Sequence, residues 1–167
     1  SMILWGPPGT GKTTIARLLA RAANLDFQQI SAVFSGVADL RKAFDAAKAR
    51  RGAGKGTLLF VDEIHRFNRA QQDGFLPYVE EGVVTLVGAT TENPSFEING
   101  ALLSRAQVLV LKRLDESALD TLLSRAETLL DAKLPLTPEA RAQLTTMADG
   151  DGRYLLTLAE ELFALDA

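Results

Sequence analysis

Met2-Ile3-Leu4-Trp5-Gly6-Pro7-Pro8-Gly9-Thr10-Gly11-Lys12-Thr13-Thr14 runs from four apolar residues, through glycines and prolines, into a lysine and two threonines. The apolar run reads as a buried strand feeding a loop. Beyond it, Ile15, Leu18, Leu19 and Ala22 recur at helical spacing. Between strand and helix, Gly6-x-x-x-x-Gly11-Lys12-Thr13 carries the full pattern of a phosphate-binding loop, in the context that its mechanism needs. Glycines let the backbone wrap closely enough for its N–H groups to point at phosphate oxygens. The helix that follows adds its positive N-terminal end. The expectation is that Gly6, Pro7, Pro8, Gly9, Thr10, Gly11, Lys12, Thr13 and Thr14 hold ATP. Lys12 would reach the β- and γ-phosphates, and the Thr13 hydroxyl would face Mg2+. The competing explanation is a chance glycine-rich turn, which the strand and helix on either side argue against.

Downstream, Phe27–Ile30 is a weak strand candidate, and residues 37–51 carry Val37, Leu40, Ala43, Phe44 and Ala47 on one helical stripe. Thr57-Leu58-Leu59-Phe60-Val61 is a continuous apolar run ending in Asp62-Glu63, as suits a parallel strand covered on both faces. Asp62 would hold magnesium through its water shell, and Glu63 could polarise the water attacking the γ-phosphate. That acid pair points to a hydrolase. His65 follows, and a lone histidine of this kind is more often structural, so it receives no role. Residues 68–81 read as a helix, 83–89 and 108–111 as strands, and alternating strands and helices imply a parallel α/β sheet. After Arg113 the pattern changes to helical stretches at 115–132, 137–149 and 152–166, without a strand. The expected division is therefore an α/β nucleotide-binding core over 1–113 and a partial helical lid over 114–167.

Composition excludes several classes. The 167 residues contain no cysteine, so disulfides and thiolate metal sites are ruled out. A net charge of −3 announces neither nucleic acid nor anionic membrane. No apolar run approaches the length needed to cross a bilayer, and the expectation is a soluble cytoplasmic protein without a membrane partner. The phosphate loop lies almost at the first residue and the last helical stretch runs to the end, which reads as part of a longer chain. Weak nucleotide binding and poor turnover are expected of such a piece.

The phosphate loop together with Asp62-Glu63 resembles the AAA+ ATPases. Residues 59–68 (Leu-Phe-Val-Asp-Glu-Ile-His-Arg-Phe-Asn), then Gln71-Gln72-Asp73 and 88–97 (Gly-Ala-Thr-Thr-Glu-Asn-Pro-Ser-Phe-Glu), are more particular. They resemble the replication-associated recombination protein A family, also called MgsA, with its eukaryotic Werner-helicase-interacting relative. The resemblance is dense up to Arg113 and thinner beyond, except around Gly150-Asp151-Gly152-Arg153. It implies a five-stranded sheet of order 5-1-4-3-2 and ATP hydrolysis during replication-fork maintenance. It also implies that Thr91 is the sensor orienting water or γ-phosphate, and that Arg105 of Leu103-Ser104-Arg105 is an arginine finger entering a neighbouring subunit. Arg153 would reach the nucleotide from the lid, although the family usually has a second arginine where Tyr154 stands.

The partners so implied are a second copy of the chain, forked or gapped DNA, and replication proteins such as single-strand-binding protein, in a bacterial nucleoid. Arg41, Lys42, Lys48, Arg50, Arg51 and Lys55 form a basic run, but Asp39 and Asp45 interleave and no aromatic alternates with it as a stacking platform would need. A clamp-loader subunit or a Holliday-junction branch-migration motor would share these ATPase parts. A non-catalytic nucleotide-dependent module is the rival from another class, and the intact Lys12, Asp62, Glu63 and Arg105 argue against it.

Overall fold

A computed structural model describes residues 1–165, without the side chain of Leu165. The final positions of the expected lid, 166–167, lie outside the described residues. Two compact units emerge: Ser1–Gly6 with Lys12–Val110, and Pro7–Gly11 with the residues from Leu111 onward.

The first unit is built on five parallel strands, β1 (Met2–Trp5), β2 (Asp26–Ser31), β3 (Thr57–Asp62), β4 (Thr85–Thr90) and β5 (Gln107–Val110). Their order is β2-β3-β4-β1-β5, the expected order read from the other edge. The apolar run Leu58–Val61 is buried because β3 lies between two neighbours and under helices. β5 behaves differently: it is an edge strand, and Val108, Leu109 and Val110 are 40%, 36% and 61% exposed. Helix α1 (Lys12–Ala22) follows β1, and α2 (Val37–Gly52) follows β2. The stripe Leu40, Ala43, Phe44 and Ala47 of α2 joins the core, where Phe44 stacks on Tyr78 with centroids 3.8 Å apart.

Residues 68–81 do not form one helix. After a 3-10 turn (Ile64–Arg66), α3 (Arg69–Asp73) stops and α4 (Leu76–Glu80) starts afresh. Pro77 explains the break: it has no N–H to offer the carbonyl of Asp73, and it is tolerated only in a first turn, where it sits in α4. β4 begins at Thr85 because Val83 and Val84 both donate their N–H to the Tyr78 carbonyl, closing the preceding turn while staying buried. Two short helices absent from the sequence reading, α5 (Pro94–Glu97) and α6 (Gly100–Leu103), are capped by Asn93 and Asn99.

In the second unit, α7 (Glu116–Leu130), α8 (Pro138–Ala148) and α9 (Gly152–Leu165) bury Leu119, Leu123, Leu134, Leu144, Ala148, Leu155 and Ala159. Asp115 and Thr137 cap the first two helices by accepting from the N–H of Ala118 and Ala140. Asp151 accepts from Arg153 and Tyr154 at the start of the third. Among the described residues no helix is long and apolar enough to cross a membrane.

Candidate active site

Register decides which residues meet. Trp5 pairs with Thr90, Val61 with Gly88, and Ser31 with Asp62, so β1, β4 and β3 end together. Gly6, Asp62-Glu63 and Thr90-Thr91 therefore leave the sheet along its carboxyl edge, where open parallel sheets take their ligands. The Gly6 N–H donates to the Thr90 carbonyl at 3.1 Å, tying the start of the loop to β4. Lys12 opens α1, is 9% exposed, and donates from Nζ to the Gly6 carbonyl at 2.7 Å. No acid stands in the first turn of α1, so nothing on the helix offsets its positive end. Thr13 is half-buried there and Thr14 exposed.

The rest of the loop, Pro7–Gly11, belongs to the helical unit. Gly9 and Gly11 have φ of +69° and +86°, a region costly to residues with a Cβ. The Gly152 N–H donates to the Gly9 carbonyl at 3.1 Å, and the Thr10 hydroxyl donates to the Pro7 carbonyl at 3.0 Å. A Cβ on Gly9 would fall 1.8 Å from Asp151 Oδ1, so no side chain fits. Arg153 is exposed; its backbone N–H caps α9 on Asp151, and its guanidinium has no ion pair among the described residues.

Asp62 is half-buried at the tip of β3. Glu63 has φ 54° and ψ 42°, left-handed backbone. Elsewhere in the described residues that region is occupied, apart from glycine, by Asn24, Asp131 and Asp149, which tolerate it better. The turn swings His65 back to Glu63, with Nε2 at 3.3 Å from Oε2, and to Thr90, with Nδ1 at 2.9 Å from Oγ1. Gly88 makes this approach possible: a Cβ there would lie 2.9 Å from Ile64 Cδ1, so the bare backbone of β4 lets Ile64 seat the turn. Thr91 is half-buried one residue beyond β4. Arg105 lies at the opposite edge. It precedes Gln107, which pairs with Met2 at the amino ends of β5 and β1. Its Nε donates to Glu80 Oε1 at 2.5 Å and its Nη1 to the Ala101 carbonyl at 2.7 Å.

Residues 2–114 match the family model described as the ATPase family associated with various cellular activities (AAA). The chain belongs to the AAA ATPase family. The AAA domain is 50% identical over 168 residues to replication-associated recombination protein A of Escherichia coli, an alignment covering 96% of this chain and 37% of that protein. It is 51% identical to the protein of that name from Coxiella burnetii, over 99% of this chain and 39% of the relative. ATPase WRNIP1 of Dictyostelium discoideum is 46% identical over 96% of this chain and 19% of its own length. The chain thus spans well under half of these relatives. Among solved structures, a RuvB mutant from Thermotoga maritima superposes with TM-score 0.81 at 26% identity, over 100% of this chain and 57% of that one. The RuvB Holliday junction branch migration motor of that organism gives 0.77 at 28% identity, over 95% and 52%.

Most of the AAA domain's basic run is engaged within the sheet unit. Arg50 and Lys55 pair with Asp26 at 3.2 and 2.5 Å, and Arg51 donates to the Glu81 carbonyl at 2.6 Å. The Lys48 ammonium stands 5.0 Å from the Tyr78 ring centroid. Arg41 and Lys42 are exposed, on the helix that begins three residues after Phe34, itself 89% exposed. Sequence reasoning gave His65 no role and passed over Thr90 and Glu80. It also missed Gln72, 1% exposed, which donates to the Phe67 and Glu97 carbonyls and accepts from the Asn99 N–H. That amide rivets the loops leading to Arg105. In the sequence Gln72 stands in the polar run Arg69-Ala70-Gln71-Gln72-Asp73, where nothing sets it apart from its neighbours.

Proposed function

We propose that the AAA domain hydrolyses ATP to remodel DNA or DNA-bound protein assemblies in replication-fork maintenance, with 1–113 as nucleotide core and 114–167 as partial lid. The observation that carries the chemistry is the gathering of Lys12, Asp62 and Glu63 at one carboxyl edge of the sheet, beside the start of a glycine loop. The biological role rests on identity near 50% to replication-associated recombination proteins.

The residues fit a magnesium nucleotide. The uncompensated start of α1, left-handed Gly9 and Gly11, and the buried Lys12 ammonium are suited to phosphate. Among the described residues no three acids or histidines cluster as a protein-only metal cage. Magnesium bound mainly through phosphates and water needs only one or two protein ligands. Thr13 and Asp62 would hold it, and when bound it neutralises charge on the β- and γ-phosphates.

In this scheme Gly6–Thr14 bind the triphosphate, and Lys12 exchanges the Gly6 carbonyl for phosphate oxygen. Glu63 accepts hydrogen bonding from the attacking water, and Thr91 orients it. Arg105, directed away from its own carboxyl edge, serves a neighbouring copy's site. Arg153 approaches nucleotide from the lid. Arg41 and Lys42 are the members of the basic run left for phosphate contact with DNA. The superposition on RuvB favours one second reading, a branch-migration motor.

The experiment is ATP turnover by the protein with and without forked duplex DNA. Turnover that responds to DNA is expected. Nucleotide binding without turnover would leave the interaction-module reading standing instead.

A further inference from the structure

We infer that His65 is a positioning residue that holds the candidate base Glu63 and the Thr91 turn in register; the inference rests on the hydrolytic role proposed for Glu63. Its imidazole is 9% exposed and has a partner on each nitrogen. Nε2 lies 3.3 Å from Glu63 Oε2, and a carboxylate can only accept, so the ring donates there. Nδ1 lies 2.9 Å from the Thr90 hydroxyl. That hydroxyl also accepts from the Glu92 N–H at 3.0 Å and stands 3.3 Å from the Glu92 carbonyl.

Two consequences follow from this wiring. Thr90 bonds to Glu92 across Thr91, so the hydroxyl gripped by His65 fixes the turn on which the candidate sensor sits. On the other side, the ring takes up Oε2 of Glu63 and leaves Oε1 without a partner among the described residues. A base with one oxygen anchored and one open is aimed rather than free to rotate. The Glu63 carbonyl accepts from the Arg66 N–H at 2.8 Å, and with its left-handed backbone held by that turn the ring fixes the side chain. One imidazole thus links the end of β3 to the end of β4 through side chains. Its neutral form fits with hydrogen on Nε2 and Nδ1 accepting from the Thr90 hydroxyl.

The two ends of the ring can be tested apart. In His65→Asn the shorter amide reaches only where Nδ1 was, keeping the Thr90 contact and losing Glu63. In His65→Gln the amide reaches where Nε2 was and can still donate to Glu63. We expect His65→Asn to lower kcat for ATP by about tenfold to a hundredfold, the scale of a displaced reacting group, with KM unchanged. His65→Gln should recover most of that loss. Because the sequence has a single histidine, its ring nitrogens can be observed directly by 15N NMR. The expected spectrum is the Nε2–H tautomer, with the Nε2 resonance moved by Glu63→Gln. An Nδ1–H tautomer, or equal kcat in wild type, His65→Asn and His65→Gln, would overturn the inference. Absence of turnover in the wild type would instead sink the hydrolytic reading, while the NMR comparison would still report whether His65 holds Glu63.

Discussion

Two acids with cationic or polar nitrogen partners sit in different units, and they are used in opposite ways. Glu127, in the helical unit, is 7% exposed, and both of its oxygens are taken. Oε1 accepts from the Leu134 N–H at 3.0 Å and faces Arg141 at 3.3 Å, and Oε2 faces Lys133 at 3.4 Å. Glu63, in the sheet unit, is 30% exposed, has one oxygen on His65, and lies on left-handed backbone. A saturated buried acid closes a bundle. A half-engaged acid on strained backbone has an oxygen left for water. Burial and charge pairing therefore mark structural acids as readily as catalytic ones, and the unused lone pair separates them.

The largest change expected outside turnover itself is at Lys12. Lys12→Ala should weaken ATP binding by about a hundredfold, the loss of charge-assisted bonds worth roughly 3 kcal/mol, read by titration with a fluorescent nucleotide. The corresponding cut in the helical unit should leave binding alone. Glu127→Leu should cost about 2 kcal/mol of stability, because Arg141 and the Leu134 N–H lose their shared acceptor, read as a lower urea midpoint. A stability loss from Lys12→Ala with binding intact would break the comparison.

The pH dependence sharpens it further. Burial pushes the Glu127 carboxyl up, but the Leu134 N–H, Arg141 and Lys133 together outweigh burial and hold it below the usual glutamate range. The unfolded chain then binds more protons than the folded one as the solution is acidified. Glu127 contributes fully above the ordinary glutamate pKa, and its contribution fades as pH falls through the lowered value. Urea midpoints measured from neutral pH into acid should fall less steeply in Glu127→Leu than in wild type. The smallest effect belongs to the exposed pair of Arg105 with Glu80. Glu80→Ala should cost about 0.5 kcal/mol at most, and a larger drop would make Arg105 a structural residue rather than a finger for a neighbour.

Much of this was legible in sequence because the signals were local. The phosphate loop, the apolar strand ending in Asp62-Glu63, and the helical stripe of α2 are each read within a dozen residues. Helix 68–81 was overextended because its stripe continued through Pro77, although the ring cannot follow Asp73 in one helix. His65 and Thr90 are 25 residues apart and meet only because β3 and β4 pair in parallel and Gly88 makes room for Ile64. Arg105 reads as a motif, but its position at the amino edge depends on the β1–β5 register. The basic run looked continuous, whereas tertiary partners such as Asp26, Tyr78 and Glu81 occupy most of it.

In the proposed chemistry Glu63 acts on the attacking water, at a site that binds ATP through other groups. Nucleotide affinity and turnover measured side by side for wild type and Glu63→Gln test it most directly. Unchanged affinity is expected, with a kcat lower by about a thousandfold, within the span of general-base loss. Equal turnover in the two proteins, or affinity and turnover falling together, would contradict it.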